Sequence, residues 1–115
     1  MKPIVIEIPF APISVNQAFR CFQGRSIKSA SYRTFTKNIE KCVPMASCAL
    51  TEPVEVTIEC HLKRCSTSDI DNRIKTILDS LQQRGYIEND KQVVAVHAYK
   101  YESKEDRTRI VISLA

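Results

Sequence analysis

SDIDNRIKTILDSLQQRGYIENDKQV, residues 68–93, carries a helix, its stop signal and the start of a strand within 26 residues. Ile70, Ile74, Ile77, Leu78 and Leu81 recur at helical spacing and predict a helix from residue 68 or 69 to 84. Gly85 follows as the left-handed closing residue. The stretch also concentrates aspartates, at 69, 71, 79 and 90. With about 100° per residue, Asp71, Lys75 and Asp79 fall within about 80° of one another, beside the apolar stripe. Asp69, two residues before Asp71, would point about 200° away from it inside a helix. The two carboxylates converge only if Asp69 lies before the first turn, at the N-cap, where the helix dipole favours an anion.

Working outward, Val54, Val56, Ile58, Cys60 and Leu62 alternate with Glu55, Thr57, Glu59, His61 and Lys63, which predicts a strand with one core face and one wet face. Ile4, Ile6, Ile8 and Phe10 share a face of a strand over residues 2–10, ended by Pro9 and Pro12. After Ser29 or Ser31 as N-cap, Tyr32, Phe35, Ile39, Cys42, Val43 and Ala46 follow helical spacing, with Arg33, Lys37 and Lys41 on a separate basic row and Pro44 as the stop. Residues 11–29 lack periodicity and read as a long functional loop. Residues 92–101 and 107–114 predict a closing hairpin with 103–106 at its tip. The order β-α-β-α-β-β predicts an α+β fold, with a single mixed sheet of about four strands and two main helices.

At 115 residues the chain is expected to form one domain, residues 1–115, with one core. The start alternates and carries Glu7, so no signal peptide is expected, and no run reaches membrane-spanning length. Five cysteines at irregular spacing argue against a disulfide framework and fit reduced thiols in the cytoplasm. Alternation puts Cys60 and His61 on opposite faces of their strand, which disfavours a zinc site with Cys65. The net charge of +4 fits a polyanionic partner. Its distribution is more informative: Arg20, Arg25, Lys28, Arg33, Lys37 and Lys41 occupy the first third, while the acids cluster in the second half.

Two carboxylates about 4 Å apart repel by roughly 4 kcal/mol at an effective dielectric of about 20, so a fold that gathers them needs a counter-charge. Lys75 and a divalent cation are the candidates. Carboxylates with one lysine suit Mg²⁺ or Mn²⁺. Capping by Asp69 and an ordinary Asp71–Lys75 helix pair explain part of the pattern without any metal, but they have no use for Asp90. An EF-hand is excluded by Ile74 at its sixth position and Ser80 at its twelfth. With only Gly24 and Gly85 in the chain there is no phosphate-cradling loop, and the isolated His61 and His97 give no triad.

The run from Ser68 to Val93 resembles the signature of the RusA family of Holliday-junction resolvases, small endonucleases that nick four-way DNA junctions. The match includes D-x-D-N, a Lys six residues after the first Asp, an Asp four later, the helix-ending Gly and an acid shortly before Gln-Val. Pro12, Ser14 and Asn16 resemble the family's N-terminal P-x-S-x-N element, and Lys100 its basic residue on the following strand. The resemblance implies a RusA-like fold, Asp69, Asp71 and Asp90 as catalytic metal ligands for Mg²⁺ or Mn²⁺, and Lys75 as the catalytic lysine. It also implies an Asp79 of undefined role and a homodimer acting on four-way junctions in recombination and repair. Asn16, Arg20, Arg25, Lys28, Arg33 and Lys37 are the expected DNA-binding residues. Two positions depart from the family pattern: Asn89, where an acid is frequent, and Ser68, where Pro or Arg is frequent. The competing reading is a non-catalytic domain that binds branched DNA, its acids serving only to cap and pair.

Overall fold

A computed structural model describes residues 1–115. Its centre is the strand β4 (Val54–Leu62), in which Val54, Val56, Ile58, Cys60 and Leu62 are all buried and the intervening residues half-buried. The predicted alternation is thus realised in full. Around it the main sheet runs β1 (Ile4–Ile8), β6 (Arg107–Leu114), β4, β5 (Val93–Glu102). β6 pairs antiparallel with both β1 and β4, setting Ile110 opposite Ile6 and Ile58. β5 pairs with β4 in parallel. The two long helices, α2 (Ala30–Cys42) and α3 (Asp71–Gln83), contribute Tyr32, Phe35, Ile39, Ile77 and Leu81 to the same apolar cluster as the strands. The mixed sheet and helices agree with the predicted α+β class.

Local chemistry fixes the helix ends. The Ser29 hydroxyl accepts the Tyr32 N–H at 3.1 Å to cap α2, and the helix stops at Val43, ahead of Pro44. α3 closes in a Schellman turn, with Tyr86 N–H on the Leu81 carbonyl, Gly85 N–H on the Gln82 carbonyl and Gly85 at φ +77°.

Two sequence expectations are corrected. First, residues 92–101 and 107–114 do not form a hairpin, because β4 lies between β5 and β6. Two strand spacings are about 10 Å and four residues reach about 13 Å, so the 103–106 connection can step over a strand as readily as it can turn. It crosses the end of β4, where Ser103 N–H donates to the Leu62 carbonyl (3.0 Å) and Lys63 N–H to Asp106 Oδ1 (2.9 Å). β6, with buried Thr108, Ile110 and Ile112, takes the two-sided position, and β5, with exposed Val94, Tyr99 and Tyr101, takes the edge. Second, residues 11–29 are not an irregular loop. They hold a short helix α1 (Val15–Ala18) and a hairpin of β2 (Phe19–Phe22) and β3 (Arg25–Lys28). Gln23 and Gly24, both at positive φ, make its two-residue turn.

Tyr32 ties the helices together: its buried hydroxyl donates to Asp79 Oδ2 on α3 at 3.0 Å. Burial, then the adjacent carboxylate, hold the phenol pKa far above its ordinary value. The folded phenol therefore stays protonated where the unfolded one ionises, and stability is lost as pH rises above about 10. Tyr32→Phe is expected to cost about 1 kcal/mol at neutral pH and to flatten the alkaline decline in urea-unfolding midpoints; a decline as steep as wild type would remove Tyr32 as its cause. Ile58, 1% exposed at the sheet centre, is expected to cost about 3 kcal/mol on truncation to Ala, read as a lowered midpoint with an unchanged slope.

Candidate active site and nucleic-acid interface

The chain leaves β4 at Leu62, makes one 3₁₀ turn (Cys65–Thr67) and starts α3 at Asp71. The corner between them is tied down by main-chain acceptors. Lys100 Nζ, reaching up from β5, donates to the Cys65 and Ser68 carbonyls, both at 2.9 Å. The Ser68 hydroxyl donates to the Arg64 carbonyl at 2.9 Å. Lys100 is thereby a positioning group for the residue just ahead of Asp69.

The P-x-S-x-N element forms the opposite wall, and its residue types have identifiable uses. Pro12 is buried and its carbonyl accepts from the Arg73 guanidinium. The next carbonyl, of Ile13, accepts from Thr76 Oγ1 at 2.8 Å. Ser14 caps α1 by accepting the Gln17 N–H. Asn16 is thus held beside the first two turns of α3, where it lines a concavity of about 150 Å³ with Ser14, Thr67, Ser68, Asp69, Asn72 and Arg73.

Asp69 lies outside the helix, as its spacing from Asp71 requires, but it is not the N-cap. Ile70 holds that position with helical backbone angles (φ −68°, ψ −38°) and no side chain caps the turn. Asp69 and Asp71 are both exposed at the positive end of the helix dipole. One turn on, Lys75 Nζ, on a side chain 55% exposed, stands 3.6 Å from Asp79 Oδ2, the oxygen that also accepts from Tyr32. Asp79 therefore orients Lys75 and anchors α2.

Asp90 is elsewhere. Its N–H donates to the Gln82 side chain at 3.2 Å, near the far end of α3. The eleven residue steps from Asp71 to Gln82 span about 16 Å of helix. Asp90 opens a 3₁₀ turn (Asp90–Gln92) capped by Asn89, whose Oδ1 accepts the Lys91 N–H, while Gln92 returns to the Asn89 N–H. The Gln92 amide donates to the Leu50 and Glu52 carbonyls and so fixes the start of β5. Asn89, the departure from the family pattern, is thus a capping residue. Within one chain no three His, Cys, Asp or Glu side chains stand together as a metal-holding group. Asp69 and Asp71 share an end of the molecule; Asp90 does not join them.

The expected DNA-binding bases lie on the two elements that follow α1, the β2–β3 hairpin and α2. Arg20, Arg25 and Lys28 are exposed on the β2–β3 hairpin, which continues directly from α1. Lys28 Nζ sits 5.2 Å above the Tyr32 ring, and Arg33 donates to the Lys28 carbonyl at 3.0 Å, joining the hairpin to α2. Arg33 and Lys37 are exposed on α2. Sequence reasoning named Asn72 only as the last residue of D-x-D-N, with no role, and it did not single out Arg73 or Thr76. Arg73 and Thr76 are three apart on the α3 face that receives the N-terminal element, and only knowledge of that docking would have singled them out.

A family model described as Endodeoxyribonuclease RusA matches residues 9–113. The chain is 31% identical over 102 residues to the crossover junction endodeoxyribonuclease RusA of Escherichia coli strain K12, covering 87% of this chain and 84% of that protein. It is 32% identical, with the same coverage, to the crossover junction endodeoxyribonuclease of Enterobacteria phage 82. A match running from the N-terminal wall of the corner to the last strand takes in every element that positions Asp69, Asp71 and Lys75, and the chain belongs to the RusA family of endodeoxyribonucleases.

Proposed function

We propose that this protein resolves Holliday junctions, cutting phosphodiester bonds of four-way DNA by paired, Mg²⁺-dependent nicking, with Mn²⁺ as a substitute. The observation that carries this is the exposed Asp69 and Asp71 at the start of α3, with Asn16 and Arg73 lining the concavity at Asp69, in a chain whose relatives are named crossover junction endodeoxyribonucleases. DNA as substrate places its work in the cytoplasm. All-oxygen donors fit a hard cation, which Asp69, Asp71 and an Asp90 would hold. Bound there, Mg²⁺ supplies Lewis-acid polarisation and an activated water. Lys75, oriented by Asp79, neutralises charge on the phosphate under attack. Arg20, Arg25, Lys28, Arg33 and Lys37 track the DNA backbone and give affinity that falls with salt.

The separation of Asp90 from Asp69 within one chain favours a site completed by a second copy. β5 runs from the Asp90 end of the molecule to Lys100, which touches Ser68, and its outer edge is unpaired. Antiparallel pairing of two such edges about a two-fold axis would bring each Asp90 toward the other copy's Asp69. A homodimer also supplies the two cuts that a four-way junction needs. The same separation supports a second reading, a domain that binds branched DNA without cutting it.

Gel assays of a synthetic four-way junction, with Mg²⁺ or with chelator, separate these readings: nicking only with Mg²⁺ is expected, and binding without nicking under both conditions would favour the second. Asp71→Asn is expected to bind the junction while nicking falls roughly 100-fold or more, about 3 kcal/mol of transition-state stabilisation. Mixing Asp69→Asn with Asp90→Asn, each inactive alone, is expected to restore nicking of single strands, because a mixed dimer contains one intact shared site. A mixture that stays inactive while forming mixed dimers would refute the shared site.

A further inference from the structure

We propose that the cleft beside Asp69 is a track for the DNA strand that is cut, gripping the phosphodiester groups that flank the scissile bond; this rests on the endonuclease reading above. The cleft, about 620 Å³, is lined by Gln17, Lys63, Arg64, Ser68, Arg73 and Asp106 among others. Thr67, Ser68 and Arg73 also line the smaller concavity that holds Asp69, so the two adjoin beside the acidic corner. Its volume lies in the range of sites that enclose a small ligand or a short segment of one.

The lining selects the ligand. Three cationic side chains face one carboxylate, and one oxygen of that carboxylate already accepts the Lys63 N–H at 2.9 Å. Only Ala11 and Leu62 are apolar, and no aromatic ring is present for a base to stack on. Such a surface reads phosphate and sugar, and carries no base preference. Arg73 gives the strongest indication. Its guanidinium is anchored by the Pro12 carbonyl, yet its buried Nε has no partner in the protein. A buried, unpaired donor on a charged group is costly unless an acceptor arrives, and a phosphate oxygen matches the fork of a guanidinium. Ser68, where the family pattern frequently has Pro or Arg, adds no charge of its own. Lys63 and Arg64, at the end of β4, put positive charge on the adjoining wall of the same cleft.

The test uses the full chain and three DNAs, a four-way junction, a flap and a linear duplex, bound in chelator across a salt series. The Lys63→Ala/Arg64→Ala double variant removes exposed side chains and leaves the Lys63 N–H bond to Asp106 in place. It is expected to bind about 10-fold more weakly and to lower the log–log salt slope by about 1.8, two contacts at about 0.9 each. Arg73→Lys, folded as judged by its unfolding midpoint, is expected to weaken binding and to slow nicking at saturating protein. Lys2→Ala, ahead of β1 and remote from the cleft, is the control and should change neither. Loss of slope on whichever DNA the wild type binds supports the track, even where the junction is not preferred. Wild-type affinity and slope in the double variant, on a DNA that the unaltered chain binds, would overturn the track and leave the nuclease reading intact. A wild-type chain that binds none of the three DNAs overturns both.

Discussion

The parallel pairing of β4 with β5 is the constraint on which the rest of the molecule depends. Parallel neighbours cannot be joined by a tight turn; the chain must travel back along the sheet before the second strand begins. α3 is that return path, so its start stands at the end of β4 and its finish at the beginning of β5. One consequence is the exposed acidic corner where α3 begins. The other is that Asp90, three residues before β5, lies at the opposite end of the helix from Asp69. A sequence that keeps these aspartates about twenty residues apart thus keeps them apart in space within a subunit.

The corner is held by a small number of bonds to main-chain carbonyls rather than by its acids. Arg73 and Thr76 on α3 fasten the carbonyls of Pro12 and Ile13, and Lys100 on β5 fastens those of Cys65 and Ser68. Backbone carbonyls are obligatory acceptors, and meeting them with side chains from two different elements fixes the corner without using up the carboxylates. Asp79 is committed to structural partners, Tyr32 and Lys75, as Asp106 is to the Lys63 N–H. Asp69 and Asp71 remain exposed, which is the state in which carboxylates can hold a cation or meet a phosphate-bound one. The polar cleft beside this corner extends the same logic, with Arg73 serving as a strut for the N-terminal element while also lining the cleft.

The opposite face of the main sheet follows from its alternation. Cys60 points into the core, where burial raises its thiol pKa to about 11, while His61 on the other face stacks against Tyr101 with ring centroids 5.0 Å apart. The helices cover one side of the sheet only, so the second side presents polar and aromatic residues, Glu55, Glu59, His61 and Tyr99 among them.

What the sequence determined by itself was local. The alternation over β4, the apolar stripes of α2 and α3, the Ser29 cap, the Pro44 stop and the Gly85 closure each arise from interactions within a few residues, and each is present, except that Cys42 of the α2 stripe is exposed and Ala46 lies beyond that helix. The placement of Asp69 outside α3 was legible for the same reason, though Ile70 rather than Asp69 holds the capping position. The β2–β3 hairpin was readable in principle from Gln23 and Gly24 between two short extended runs, but its strands are mostly exposed and lack the apolar alternation that marks a core strand. Only the tertiary structure decided that β4 lies between β5 and β6, since a four-residue connection is long enough for either arrangement and the choice rests on which strand buries both edges. It also decided that Pro12 and Ile13 dock on α3, and that Asp90 stands apart from Asp69. These are consequences of long-range strand order, which no local periodicity encodes.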